Sequence, residues 1–467
     1  MDPKIFREYD IRGVYGRDLT EDGAKRIGFA YGRLLKERIG VEDPKITVGR
    51  DGRRSAAPVF DALVSGLNAA GVAVVDIGLC PTPVLYFSLF NLPVSGGIMI
   101  TASHNPPEYN GFKMCVGTQA IYGDDIRAIR ELAGDAPPKG VSKEKIKTHD
   151  TIFDYSKYLK EKFEEFKELN VKSPLKVVLD SANGTAGPVA PRLFRSLGIT
   201  VHELYSEVDG DFPNHPPDPT DEANLEELKR AVLDTRADFG IGFDGDADRV
   251  GIVDDRGRVV VGDQLMTIFS RDILETNPGA VVIGDVKCSK VMYDEIERAG
   301  GRAVMFKTGH SLIKKKMNDT GALLAGEMSG HIFFKHDYFG YDDGIYTGLR
   351  LCEIIAKEKA AGGVTLSRMV DALPKMHNTP EIRVPVDEEK KFEVVEAVKK
   401  RLKGKYKKYH VNDIDGVRVD FADGWGLIRA SNTEPALVMR FEAETEERLG
   451  EIEAFFKGEL ERVGAGV

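Results

Sequence analysis

Short apolar runs alternate along this chain with stretches of helical spacing, and the alternation repeats three times. The first round starts at KITVGRDGR (45–53). A helix opens near Ser55, VAVVDIG (72–78) reads as a strand, and GGIMI (96–100) feeds the polar segment TASHNPPEYNGFK (101–113). The second runs from LKVVLDSANGTAG (175–187) through a helix after Pro188, ITVHELY (199–205) and ADFGIGF (237–243) into DGDADR (244–249). The third runs from AVVIGDVKCSK (280–290) through a helix, RAVMF (302–306), the loop KTGHS (307–311) and ALLA (322–325) into GEMSGH (326–331). Runs of this length between helical patterns predict buried strands of βαβ units. The repeat is too long and irregular for a solenoid.

From about residue 375 the pattern changes. EEKKFEVVEAVKKRLKGK (388–405) has amphipathic helical spacing. GVRVDF (416–421), WGLIRA (425–430) and ALVMRFEA (436–443) alternate as antiparallel strands do, and a further helix is expected over about 445–463. The predicted fold class is therefore α/β: three similar α/β domains with mixed sheets, then a C-terminal α+β domain. The expected boundaries are 1–150, 151–257, 258–374 and 375–467, with a charged connection at 143–155 leading into a helix at 156–168. A length of 467 residues accommodates that many domains.

Composition narrows the function classes. A net charge of −10 gives no general attraction to nucleic acid or anionic membrane, so an anionic substrate needs a local basic site. Cys80, Cys115, Cys288 and Cys352 fit no metal spacing and suit a reduced cytoplasmic protein. The N-terminal MDPKIFREYDIRG is charged and lacks the apolar core of a signal peptide, and no apolar run is long enough to span a membrane.

The chemistry gathers in loops at strand ends, where open α/β sheets place their sites. In DGDADR, Asp244, Asp246 and Asp248 alternate, so an extended segment would point three carboxylates one way. Such a set suits a hard cation, Mg²⁺ or Ca²⁺; the plainer reading is a hairpin of solvated charges. Arg249 occupies the position where a calcium-binding EF-hand loop needs glycine. Ser103, between a buried strand and a Pro-Pro turn, is a candidate nucleophile. No G-x-S-x-G is present, and a serine facing a bound cation suits phosphoryl transfer. Lys113 becomes a candidate acid or base if neighbouring cations lower its pKa; otherwise it is a surface lysine. Glu327, Ser329 and His331 offer hydrogen-bonding groups to sugar hydroxyls, between glycines that permit close approach. In RASNTEP, Arg429, Ser431, Asn432 and Thr433 make a phosphate cradle or a solvated turn. Tyr9, Arg12, Lys287 and His310 gain weight from lying at strand ends.

Taken together, in this order and over essentially the whole chain, these loops resemble the α-D-phosphohexomutase superfamily, most closely its phosphomannomutase/phosphoglucomutase branch. The resemblance implies four domains around a central cleft and interconversion of hexose 1-phosphate and hexose 6-phosphate (mannose, glucose or both) through a phosphorylated Ser103. It implies one Mg²⁺ per chain, held by Asp244, Asp246, Asp248 and the Ser103 phosphate, with a hexose 1,6-bisphosphate as intermediate and activator. By the same likeness Arg249 supports the transferring phosphoryl group, Arg12, Lys113 and His331 flank the reacting hydroxyl, and Glu327 and Ser329 hold the sugar. Arg429, Ser431, Asn432 and Thr433 would bind the second phosphate, and Tyr9, Lys287 and His310 would line the cleft. Glu434 departs from many relatives and has no assigned role. A monomer or a weak homodimer fits the pattern. Met328, where phosphoglucosamine mutases usually have Gln, favours the mannose/glucose branch. Two further readings compete with a mutase. A magnesium-dependent sugar phosphatase would pass the phosphoryl group to water, and a catalytically silent sugar-phosphate sensor would have lost some of these loop residues.

Overall fold

The computed structural model describes residues 1–137, 146–387, 389–405, 410–431 and 435–465. The chain divides into two compact units, Met1–Gly262 with Ser329–Met369, and Asp263–Met328 with Val370–Val467.

The first unit carries two mixed sheets. In one, the strands run in the order Ile11–Val14, Tyr109–Val116, Gly96–Ile100, Lys45–Arg50, Ala73–Leu79 and Ile146–Thr148. Lys45–Arg50 is parallel to both of its neighbours, whereas Tyr109–Val116 runs antiparallel to Gly96–Ile100 and Ile11–Val14. The second sheet has Thr200–Leu204, Lys176–Asp180 and Phe239–Phe243 in parallel, then Val250–Asp254 turning back antiparallel. Gly96–Ile100 and Phe239–Phe243 are buried along their whole length, as continuous apolar runs predict for central strands.

The expected helix at 156–168 is two helices, Thr151–Lys162 and Glu164–Lys172, separated at Phe163. Two strands lie where the sequence pattern suggests polar loops. Tyr109–Val116 puts Lys113 on a strand opposite Met99, and Ile11–Val14 puts Arg12 on an edge strand opposite Gly111. Asn110 and Lys113 break the apolar pattern because both side chains are buried for polar reasons.

The second unit holds the parallel strands Arg302–Phe306, Val281–Asp285 and Leu324–Gly326. It also holds an antiparallel sheet built on Val417–Phe421, Gly424–Ala430 and Ala436–Ala443. Helices Lys391–Lys405 and Glu446–Glu461 accompany that sheet, close to their predicted bounds. Trp425, the single tryptophan, is fully buried there.

In the first unit, helices Glu21–Ile39 and Ala56–Ala69 touch backbone to backbone. A Cβ on Gly66 would lie 1.9 Å from the Lys25 carbonyl oxygen, and one on Gly28 would lie 2.3 Å from that of Leu63. Gly66→Ala is therefore expected to destabilise this unit by about 3 kcal/mol through forced helix separation. Gly450→Ala, on a helix with open space around the added carbon, is expected to stabilise by about 1 kcal/mol. Urea unfolding of the two variants beside the parent checks both signs.

Candidate functional site

The segment DGDADR is the tip of a hairpin, with Phe243 paired to Val250 across its base. It is not the extended segment that the alternation suggests. Ala247 takes a left-handed φ of 61°, and this tight turn brings the carboxylates together. Oxygens of Asp244, Asp246 and Asp248 lie within 4.8 Å of one another, and all three side chains are fully buried. Three consecutive carbonyls of the tip are tied to separate segments. Gly245 O accepts from Thr185 N (3.0 Å), Asp246 O from Thr82 N (2.9 Å) and Ala247 O from Gly344 N (3.1 Å). The tip is thus fixed from several sides before any ligand binds.

Each acid is already partly engaged. Asp244 Oδ2 accepts from Ser103 Oγ at 2.5 Å, and its Oδ1 accepts from the amides of Asp248 (3.1 Å) and Arg249 (3.2 Å). Asp246 Oδ2 accepts from Thr82 Oγ1 (2.6 Å) and Lys113 Nζ (2.7 Å). Lys113 also donates to Asp248 Oδ2. Asp246 Oδ1 and Asp248 Oδ1 are buried and have no hydrogen-bond partner among the described residues, although His331 Nε2 stands 3.4 Å from the latter. Burial, and then the neighbouring carboxylates, push Asp244 well above the usual aspartate range. Buried oxygens with no donor, in a set of hard carboxylate ligands, fit a divalent cation such as Mg²⁺.

Lys113, expected among cations that lower its pKa, has acids as its neighbours instead. Burial pulls its pKa down, but Asp246, Asp248 and Asp244 pull harder, and the net shift is upward. The ammonium stays protonated and bridges two of the acids.

Ser103 is buried, with a left-handed φ of 50°, and its amide donates to Thr101 Oγ1 at 2.8 Å. Arg12 donates to Asp10 Oδ2 at 2.5 Å and to Asn105 Oδ1 in the turn after Ser103. Arg249 Nε lies 3.2 Å from His331 Nε2, and Ser329 Oγ lies 3.0 Å from His331 Nδ1. Acceptance from Arg249 places the imidazole proton on Nδ1, directed at Ser329. Gly330, at φ 85°, presses the 329–331 turn onto the hairpin, with its carbonyl accepting from Val250 N at 3.1 Å. His104 is half-buried, and desolvation followed by the charges of Arg249 and Arg12 holds its pKa well below the ordinary histidine range. One unit therefore brings Ser103, Lys113, Arg12, Arg249, Ser329, His331 and the three acids into one polar cluster. Tyr9 is half-buried in the turn before Ile11–Val14.

In the second unit, Lys287 follows strand Val281–Asp285, and its Nζ donates to Glu381 Oε1 at 2.7 Å. Glu327, at the end of Leu324–Gly326, accepts from Gly309 N at 2.7 Å. His310 opens the helix His310–Thr320 beside that contact. Arg429 Nε donates to Asp415 Oδ2 (3.1 Å), which also accepts from Thr308 N (3.1 Å); Arg429 Nη2 is buried and has no hydrogen-bond partner among the described residues. A buried guanidinium nitrogen without an acceptor fits an incoming phosphate oxygen. Ser431 is buried, with its amide bonded to Ala436 O at 2.9 Å, whereas Asn432 and Thr433 lie outside the described residues.

Sequence reasoning missed Thr82, Asn105, Glu381 and Asp415. Thr82 carried a usable signal, since CPTPV follows the strand Ala73–Leu79 directly. Asn105 sits inside the serine loop, whose chemistry the pattern already marks. Glu381 and Asp415 carried none, because only their partners Lys287 and Arg429 give them meaning.

Burial would raise Glu381, but the Lys287 ammonium outweighs it and holds the carboxyl at about 2, below the ordinary 4.5. Glu381 then contributes stability that is complete above pH 4.5 and is lost as pH falls through about 2. Glu381→Gln is expected to lower the urea midpoint of the Trp425 fluorescence transition at neutral pH, with the deficit shrinking steadily as pH drops below 4.5. A deficit that stays constant with pH contradicts this pairing.

Four models of the phosphoglucomutase/phosphomannomutase family match the chain: α/β/α domain I over residues 3–136, domain II over 154–257, domain III over 261–377 and the C-terminal domain over 381–458. The chain is 44% identical over 464 residues to a phosphomannomutase/phosphoglucomutase of Pseudomonas aeruginosa, covering 99% of this chain and 96% of that protein. It is 42% identical over 468 residues to a phosphoglucomutase of Neisseria gonorrhoeae, covering 98% and 96%. The crystal structure of a phosphoglucomutase/phosphomannomutase family protein from Burkholderia thailandensis superposes with a TM-score of 0.89 at 40% identity, over 100% of this chain and 99% of that one. With all four family domains present in order, the chain belongs to the phosphoglucomutase/phosphomannomutase family of the α-D-phosphohexomutase superfamily.

Proposed function

We propose that this protein is a phosphohexomutase that interconverts hexose 1-phosphate and hexose 6-phosphate, mannose and glucose being the sugars, with Ser103 as the phosphoryl carrier. The observation that carries this reading is Ser103 Oγ, buried and 2.5 Å from Asp244 in a cluster of three acids, Lys113 and Arg249. The four-domain division proposed from the sequence puts Ser103 in 1–150, the acid hairpin in 151–257, the sugar loop in 258–374 and the phosphate loop in 375–467; the order of the matched family models supports it.

Phosphorylated Ser103 donates to the free hydroxyl of a bound hexose monophosphate. The bond from phosphorus to that hydroxyl oxygen forms while the bond to Ser103 Oγ breaks, and the hydroxyl proton passes to a base. His331 has its Nε2 lone pair available for this role when Arg249 turns to the phosphoryl oxygens. Lys113, kept protonated by the acids, stabilises charge or returns a proton. The 1,6-bisphosphate turns end for end, and its other phosphoryl group moves to Ser103: the bond to Oγ forms as the bond to the sugar oxygen breaks, the Ser103 proton passes to Asp244, and the sugar oxygen takes back the proton held by His331. Asp244, Asp246, Asp248 and the Ser103 phosphate would hold Mg²⁺, which when bound neutralises charge on the transferring group. Glu327 and Ser329 suit the sugar hydroxyls in both orientations. Arg429 and Ser431, with Asn432 and Thr433, suit the phosphate that is not being transferred, and Arg12, Lys287, His310 and Tyr9 complete the substrate contacts.

Ser103→Ala is expected to lose at least about a thousandfold in mutase turnover of mannose 1-phosphate and glucose 1-phosphate, since no carrier then splits the reaction into two transfers. Retained turnover in that variant contradicts the carrier role. Parallel assays with glucosamine 1-phosphate and of free phosphate release test the branch and exclude a phosphatase. Saturating Mg²⁺ is expected to raise thermal stability, by about 2.7 kcal/mol at a hundredfold excess over Kd. Asp246→Asn is expected to abolish most of that gain, whether or not substrate is present.

A further inference from the structure

Arg53 lies in the turn after strand Lys45–Arg50, and the proposed reaction does not use it. Its side chain is 0% exposed. The guanidinium has five N–H groups, and five acceptors meet it. Nε donates to Asp51 Oδ2 at 3.1 Å. Nη1 donates to the carbonyls of Pro106 (2.6 Å) and Tyr109 (3.0 Å), and Nη2 to those of Ser103 (2.9 Å) and Asn105 (2.6 Å). Four carbonyls of the seven-residue loop 103–109 thus converge on one planar cation, and one of them belongs to Ser103 itself.

The fork is held as firmly as it holds. Asp51 accepts from the Arg53 amide at 3.1 Å and from the Ala102 amide at 3.4 Å, joining both ends of the arrangement. The Phe212 ring covers the guanidinium at 5.3 Å, and the Gly210 backbone sits so near that a Cβ there would meet Gly52 O at 2.5 Å. On the other side, a Cβ on Gly245 would meet Ser103 O at 2.5 Å. Carbonyl oxygens repel one another, and a non-glycine residue at φ 50° is disfavoured. A loop that gathers four carbonyls around a left-handed serine therefore needs a buried cation at its centre.

We infer that Arg53 is the positioning residue for the phosphoryl-carrying serine: by gathering the carbonyls of Ser103, Asn105, Pro106 and Tyr109 it sets the left-handed turn that aims Ser103 Oγ at the acid hairpin. It touches neither substrate nor phosphoryl group and acts only through the loop. The inference rests on the proposed role of Ser103. Lysine cannot replace it, because an ammonium has three donors on one nitrogen and cannot span a planar set of four carbonyls.

The test compares the full-length wild type, Arg53→Lys and Ser103→Ala with glucose 1-phosphate, Mg²⁺ and a trace of glucose 1,6-bisphosphate. Arg53→Lys is expected to keep its circular dichroism and its Mg²⁺-dependent thermal shift, with KM within about threefold of wild type and kcat lowered about a hundredfold, the penalty for a misaligned reacting group. Phosphorylation of Ser103 by the bisphosphate, followed by intact-protein mass, is expected to slow in parallel. A folded Arg53→Lys with wild-type kcat overturns the inference if Ser103→Ala is inactive. If Ser103→Ala is also active, the carrier assignment itself fails. Where Arg53→Lys does not fold, the double variant Asp51→Asn, Arg53→Gln removes both buried charges together and gives the same readings. Amide hydrogen exchange on the unmodified protein is an independent arm: protected amides over 103–109 support a pinned loop, and fast exchange there overturns it.

Discussion

Three buried carboxylates placed within 4.8 Å of one another repel, and the first unit is organised around relieving that repulsion. Charge removed from water has to be neutralised or hydrogen-bonded nearby. Lys113 reaches two of the acids, the Ser103 hydroxyl and two amides satisfy Asp244, and the Thr82 hydroxyl shares Asp246 with Lys113. Two carboxylate oxygens of the cluster still have no hydrogen bond from the described residues. The same deficit that makes the cluster costly in isolation makes it a set of ligands that could hold a divalent cation.

Holding such a cluster together demands backbone anchoring, because side-chain attraction alone cannot keep like charges adjacent. Thr185, Thr82 and Gly344 each bind one carbonyl of the hairpin tip, and Gly330 closes its base. Glycine at 330 and 344 is a packing requirement here. A Cβ on Gly330 would lie 2.3 Å from Val250 O, and one on Gly344 would lie 2.8 Å from Ala247 O. The serine loop is anchored by the opposite device, a buried cation gathering carbonyls, so the acids and Ser103 are each fixed by the protein's own contacts. Pre-set geometry of this kind suits phosphoryl transfer, in which positioning and charge stabilisation supply most of the catalysis.

The second unit pairs its cations with acids in a similar way. Lys287 is matched to Glu381, and Arg429 to Asp415, with one guanidinium nitrogen left without an acceptor among the described residues. Cations held by carboxylates on one side keep their orientation while presenting their remaining donors to an anion. A local arrangement of this kind can attract an anion despite an overall charge of −10.

The sequence by itself determined the central strands, the α+β character of the C-terminal region, and the polar segments at strand ends that carry Ser103, the three acids and Glu327, whereas Arg429, read as part of a loop, lies within the strand Gly424–Ala430. Apolar runs and strand-end polar segments are local patterns, and burial follows from them directly. Tertiary structure alone decided the rest. The acids converge through a left-handed Ala247 in a hairpin, because the turn and not the alternation aims them. Lys113 stands on a strand among carboxylates, with its pKa raised and not lowered, because its neighbours come from 133 and 135 residues away. Arg53 reads in the sequence as one more charged residue in a turn; only the fold brings four carbonyls from 50 or more residues further along the chain to its guanidinium. Local pattern fixes which residues are buried and where strands end, but which charges meet there depends on contacts between segments distant in the chain.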